Sequence, residues 1–365
     1  MKTRNRVTKA VAAAALALGA LSACGSSDGD SFKITYSSVL AEPVSMSTSF
    51  SWFASEVTKR SDGRIKFENH FNGSLLGADE TVQALRDGRV DMAYVSPAYS
   101  AADFPLWNAA GVLYMTDNAE AAMRAWTTLS KDDDVLAGEF DKVGVIPLLF
   151  SPISANATGF VRPVKSVSDL AGLRIRALGS VAAALSEVKV DAVAISVAEV
   201  YDGLERGVLD GASSTLFEGY VSSNFQEPAP HIVDLSMGTY TSAGHFMSKS
   251  AWDRLPEDLQ GVVSEVAEEY LDVAVDTLQE KEASACEAMT EDGRSVTKLT
   301  GTELDAWKDK AAAKVRGDWL ASAQKAGLSK DAAADFLSTY EEALTDETAR
   351  ADYTNGMIAC IESAS

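Results

Sequence analysis

Strand-like and helix-like patterns alternate from Phe32 to Ser248, and one long amphipathic pattern then opens a C-terminal third that reads as nearly all helix. Together they predict an α/β protein with parallel-rich sheets, because strands separated by helices of this length are joined by crossovers that cover both sheet faces. With 365 residues, 46% hydrophobic and 23% charged, the chain is long enough for two domains or one large one.

In order, residues 32–37 (Phe-Lys-Ile-Thr-Tyr-Ser) alternate as a first strand, and residues 45–59 carry apolar side chains at helical spacing. Ser61-Asp62-Gly63 breaks that helix, and residues 64–70 alternate again. A turn at 73–77 leads into a helix at 79–87 closed by Gly88, then a buried strand at 90–95. The rhythm returns with strands at 143–150 and 173–176, a helix at 181–188 and a strand at 192–195. A helix at 197–206 capped by Gly207 and a strand at 208–212 follow. Residues 241–248 read as a strand able to return the chain to the first domain. The pattern over 256–289 would be about 50 Å long as one helix. Helices at 303–326, 330–344 and 354–363 complete the chain.

At the N-terminus, Lys2, Arg4, Arg6 and Lys9 precede an uncharged run, residues 10–21, too short to span a bilayer and built like a secretory leader. Its ending, Leu21-Ser22-Ala23-Cys24, resembles the bacterial lipobox, which implies a signal peptide over 1–23 and lipidation of Cys24. Two or more acyl chains on that cysteine would give stable anchoring to the cell membrane. Residues 24–31 then form a flexible Gly/Ser/Asp stalk.

The net charge is −21, and −25 once the leader's four basic residues are removed. That argues against nucleic acid and anionic membrane surfaces as partners. With Cys24 given to the anchor, Cys286 and Cys360 remain, and in an oxidising compartment they favour one disulfide tying the tail to the long helix; separate buried thiols are the alternative.

Three passages carry a family resemblance. Residues 73–92 (Gly-Ser-Leu-Leu-Gly-Ala-Asp-Glu-Thr-Val-Gln-Ala-Leu-Arg-Asp-Gly-Arg-Val-Asp-Met) are one. Residues 169–176 (Asp-Leu-Ala-Gly-Leu-Arg-Ile-Arg) followed by 199–211 (Glu-Val-Tyr-Asp-Gly-Leu-Glu-Arg-Gly-Val-Leu-Asp-Gly) are another, and Ser248 to Pro256 the third. In order and spacing they resemble solute-binding subunits of tripartite ATP-independent periplasmic (TRAP) transporters. The resemblance implies a type II periplasmic-binding-protein fold, with lobe I at 32–155, lobe II at 156–240, hinge strands between them, and a region from 241 onward that supplies a return strand, a long bracing helix and further helices. It also implies capture of a small molecule between the lobes and delivery to membrane permease subunits driven by an ion gradient, with no chemistry and no cofactor.

Arg176 matches the arginine that in this family holds a substrate carboxylate, for which a planar guanidinium offers two parallel donors. Arg174 shares its strand face, so spacing alone does not choose between them; the resemblance chooses Arg176. Glu80 falls on an acidic position near the family's cleft, although its place in a helix's first turn also suits capping. The sequence departs from the family at Ser214, where many relatives carry an amide, and at Asn156, where some carry a second arginine. These changes leave open a neutral or amine solute held by Glu80 and aromatic faces. Trp52, Tyr94, Phe150, Phe217 and Tyr240 are the candidate walls, each at or near a strand-to-helix junction, with core packing as the alternative for each.

A binding protein for an ATP-driven importer is the nearer competing function and an extracytoplasmic enzyme the more distant one. Only His70, His231 and His245 are available as histidine bases, and the sequence contains no Gly-x-Ser-x-Gly elbow, His-Glu-x-x-His metal motif or phosphate loop.

Overall fold

Residues 31–291 and 293–363 are described by the computed structural model; the leader, Cys24 and most of the stalk lie outside them. The first lobe begins with β1 (Phe32–Ser37), whose Ile34 and Tyr36 point into the core, followed by α1 (Ser45–Arg60), β2 (Ile65–His70), α2 (Thr81–Arg86) and β3 (Met92–Val95). Next come α3 (Ala119–Asp132) and α4 (Asp134–Val143), which the sequence reading passed over although their caps are plain. Asn118 accepts from the Ala121 N–H, Asp133 from those of Val135 and Leu136, and Gly144 ends α4 at φ 80°. Strand β4 (Val145–Ser151) closes the first passage through this lobe.

The chain crosses at residues 152–156 into β5 (Ala157–Phe160), β6 (Arg174–Arg176), α5 (Gly179–Ser186), β7 (Asp191–Val193), α6 (Val200–Glu205), β8 (Gly211–Thr215), α7 (Phe217–Ser222) and β9 (His231–Asp234). It crosses back at 235–242 into β10 (Ala243–Ser248), which pairs antiparallel with both β3 and β4. α8 (Lys249–Asp253), α9 (Glu257–Ala288), β11 (Ser295–Lys298), α10 (Thr302–Lys325), α11 (Lys330–Thr348) and α12 (Gly356–Ser363) follow. The first sheet has the order β2-β1-β3-β10-β4 and the second β11-β9-β5-β8-β6-β7.

Three strands went unrecognised in the sequence. β5 and β9 are four residues each, too short to show a period, and β11 interrupts the C-terminal third that was expected to be nearly all helix. β11 runs parallel to β9, from Ser295 opposite His231 to Lys298 opposite Asp234, so the region after 241 also completes the second sheet.

Two helices brace both lobes. α9 buries Leu259, Val263, Val266, Tyr270 and Leu278 in the first-lobe core, while Ala285 reaches a second-lobe core. At 32 residues it is about 48 Å long. α10 buries Leu304, Trp307, Ala311 and Val315 against the second lobe, then Trp319 and Ala323 against the first. The first-lobe core is aromatic: Trp107 stacks on Phe246 at 4.9 Å, with Phe104, Phe140 and Phe150 packed around them at edge-to-face or tilted angles.

The tail is tied down by buried carboxylates and by a bond between Cys286 and Cys360, whose Cα atoms are 5.5 Å apart. Glu120 accepts from the Asp352 and Tyr353 N–H groups, and Glu282 accepts from Tyr353 Oη at 2.9 Å and Gly356 N at 3.1 Å. Burial lifts the Glu282 carboxyl to about 7. Between about pH 4.5 and 7 the folded protein therefore holds a proton that the unfolded chain has released, and this group's contribution to stability falls as pH rises through that window, by about 3 kcal/mol in all. Glu282→Gln should gain stability relative to the parent when urea unfolding is repeated at pH 8 instead of pH 5. The same difference at both pH values would contradict this account.

Candidate functional site

The strands β3, β6 and β8 end facing the gap between the lobes, and the segments after them carry the polar and aromatic side chains that line it. A cavity of about 400 Å³ lies there, bounded on the first-lobe side by Met46, Tyr94 and Tyr99, on the second by Leu178, Val197, Ser214 and Phe225, and by Tyr240 on the returning crossing. Such a cavity admits one small organic molecule.

Arg176, the last residue of β6, is 1% exposed and sits behind this wall. Its Nε donates to the Ile195 carbonyl at 3.1 Å, and Nη1 to those of Ser213 and Ser214 at 3.0 and 2.6 Å. Nη2 donates to Tyr99 Oη at 3.0 Å, across the gap from the first lobe. Four of its five donors are thus engaged by neutral oxygens. Among the described residues no carboxylate pairs with it, whereas Arg174 forms an ion pair with Asp210 and remains accessible to water. A buried guanidinium without a counter-charge is costly unless an anion joins it.

Asn156 and Ser214 shape this anchor from behind. Ser214 adopts φ 56°, unusual for a residue with a side chain, and the Asn156 amide oxygen holds it there by accepting its N–H at 2.7 Å. The Ser214 carbonyl then faces Arg176, and its hydroxyl accepts from Leu178 N at 3.0 Å. Asn156 itself is 1% exposed and spends its amide on Thr158 and Ser213, so it does not reach the cavity.

Of the expected wall residues, Tyr94, Tyr240 and Ser214 line the cavity. The others do not. Phe150 is enclosed by the first-lobe aromatic cluster and Phe217 by a second-lobe core, because their side chains face inward from strand and helix; Trp52 packs half-buried on the outer side of that first core. Glu80 is exposed, and its carboxylate accepts from Gly77 N at 3.4 Å, closing the turn before α2.

The sequence reading missed Tyr99, Tyr201 and Glu218. Tyr99 carried one usable signal, its place just after a buried strand, where ligands of α/β proteins gather. Glu218 is fully buried and joins the lobes: it accepts from Ser45 N at 3.1 Å and from the Ser45 hydroxyl in the first lobe, and from Ser222 Oγ at 3.1 Å in the second. Burial raises its carboxyl above the ordinary range.

The three histidines sit elsewhere. His245 bridges Tyr36 Oη at 2.8 Å and Ser151 Oγ at 3.3 Å inside the first sheet, pushed down to about 3 by burial and therefore neutral. His231 bonds Ser295 between β9 and β11, and His70 lies near Glu68 at the end of β2.

Residues 36–319 match the family described as bacterial extracellular solute-binding protein, family 7. The C4-dicarboxylate-binding periplasmic protein DctP of Rhodobacter capsulatus is 24% identical over 283 residues, covering 76% of this chain and 83% of that one. Two solved structures superpose with a TM-score of 0.76. A TRAP solute-binding protein from Rhodoferax ferrireducens, in complex with copurified benzoate, is 20% identical and covers 88% of this chain and 99% of its own. The sugar acid binding protein from Advenella mimigardefordensis, in complex with galactonate, is 19% identical and covers 86% and 99%. These likenesses show the fold: two α/β lobes of the type II periplasmic-binding kind.

Proposed function

The chain belongs to family 7 of the bacterial extracellular solute-binding proteins, and on that premise we propose that it captures a small organic acid between its lobes and delivers it to the permease of a TRAP transporter. The observation that carries the organic acid is Arg176, a buried cation beside the cavity whose described partners are all neutral. A carboxylate entering the gap supplies the missing charge and draws on both lobes at once, since Tyr99 and Arg176 come from opposite sides. Binding is thereby linked to closure, which a membrane partner can detect. The position of Glu80, outside the cavity, speaks against an amine solute held by that side chain.

The lobes of this reading are residues 32–155 and 156–240, joined by the two crossings, with α9 and α10 bracing both. A receptor that performs no reaction fits the family and the fold. The ending Leu21-Ser22-Ala23-Cys24 supports attachment to the outer face of the cell membrane through Cys24.

A thermal-shift screen of the purified protein against organic acids, sugar acids, polyols and amines tests this directly, since a ligand bound only by the folded state raises Tm by mass action. Shifts of a few degrees with one or more acids are expected. Shifts confined to polyols or amines would overturn the carboxylate reading.

A further inference from the structure

Several polar groups on the cavity wall have already committed their hydrogens inside the protein. Ser96 and Thr241 donate to the Ser242 carbonyl at 2.8 and 3.1 Å, and Ser222 donates to Glu218. Three phenols differ. Tyr99 Oη accepts from Arg176 Nη2 at 3.0 Å and from Val197 N at 3.4 Å, which occupies both lone pairs and leaves its O–H without an acceptor. Tyr94 and Tyr240 make no hydrogen bond through Oη to any described residue, and both lie close enough to Arg176 for its charge to act on them. All three line the same cavity.

We propose that Tyr94, Tyr99 and Tyr240 complete, beside the single guanidinium of Arg176, a receptor for one carboxylate group, so that the cleft selects monocarboxylates over dicarboxylates. This rests on the organic-acid reading above and narrows it. A carboxylate offers about four lone-pair sites. The remaining Nη2 hydrogen and three phenolic hydrogens match that number, which satisfies one carboxylate and leaves no donor of this cluster for a second. Among the described residues lining the cavity, none is Lys, Arg or His, and the one charged side chain is Asp202, exposed and paired with Arg206. A second carboxylate in the cavity would be desolvated without a counter-charge and would approach a like charge. The remaining wall pairs an apolar part, including Met46, Leu178, Val197, Leu216 and Phe225, which suits an alkyl or aryl body, with the neutral polar side chains of Asn72, Ser223 and Asn224, which carry no charge to offset a second carboxylate.

Matched pairs isolate the effect of the second charge. Calorimetry of the purified protein would compare hexanoate with adipate and 3-phenylpropanoate with phenylsuccinate, for the parent, Tyr94→Phe, Tyr240→Phe and Arg176→Ala. The expected result is that the monocarboxylate of a pair binds at least about tenfold more tightly than its partner. Each Tyr→Phe change should weaken it about tenfold, the scale of one hydrogen bond to a charged group, with the Tm of the ligand-free variants unchanged because the rings remain. A dicarboxylate bound as tightly as its partner, yet lost in Arg176→Ala, overturns the selectivity and leaves the organic-acid function standing. Full affinity in both phenylalanine variants overturns the tyrosine assignment. Binding by no member overturns the alkyl- or aryl-monocarboxylate receptor and leaves the organic-acid function to the wider screen above, whereas binding indifferent to Arg176 overturns both readings.

Discussion

Arg176→Ala is expected to weaken binding of a carboxylate ligand by about 3–5 kcal/mol, a loss of two to three orders of magnitude or more in affinity. Removing one partner of a buried, hydrogen-bonded charge pair leaves the other desolvated and unpaired. The substitution also strips the Ile195, Ser213 and Ser214 carbonyls of their donor, so the variant's Tm must be measured alongside its affinity. Arg176→Lys separates charge from shape. An ammonium keeps the cation but cannot donate to three carbonyls and a ligand in one plane, and it should recover only part of the loss. Calorimetry with the acid that gives the largest thermal shift provides the measurement, and unchanged affinity in Arg176→Ala would refute the anchor.

Replacing both Cys286 and Cys360 by serine should lower stability to urea by about 3–4 kcal/mol. The bond closes a loop across 74 residues of sequence, and its loss restores that freedom to the unfolded chain. α12 packs against α9 and β11 through buried Met357 and Cys360, so the change should loosen the tail's hold on the second lobe before it reaches the cleft. A difference below about 1 kcal/mol would mean that Glu120, Glu282 and the packing of Met357 hold the tail without the bond.

The alternation of strands and helices exposed the α/β class because it depends on period, which a single sequence displays. Register and sheet face are not displayed in the same way, and the site suffered for it. Arg174 and Arg176 share a strand face, but position along the strand separates them: one reaches Asp210 at the outer end, the other turns under the cavity at the inner end. Phe150 and Phe217 stand near strand ends, which in sequence suits a cavity wall, yet the core side of the sheet claims Phe150 and the packed side of α7 claims Phe217. In the sequence Ser214 stands out only as a departure from the family's amide. Its left-handed backbone and the hydrogen bond its N–H donates to Asn156 Oδ1, which aim a carbonyl at Arg176, follow from a tertiary contact between residues 58 apart. Tyr99 reaches Arg176 across 77 positions, a pairing that no local pattern encodes.

A crystal structure of the protein with the acid that produces the largest thermal shift would test the central claim most directly. The account predicts the ligand inside the cavity between the lobes, its carboxylate within hydrogen-bonding distance of Arg176 Nη2 and of the Tyr94, Tyr99 and Tyr240 hydroxyls. A ligand bound elsewhere, or one whose carboxylate turns away from Arg176 toward the Asp202 side of the cavity, would contradict it.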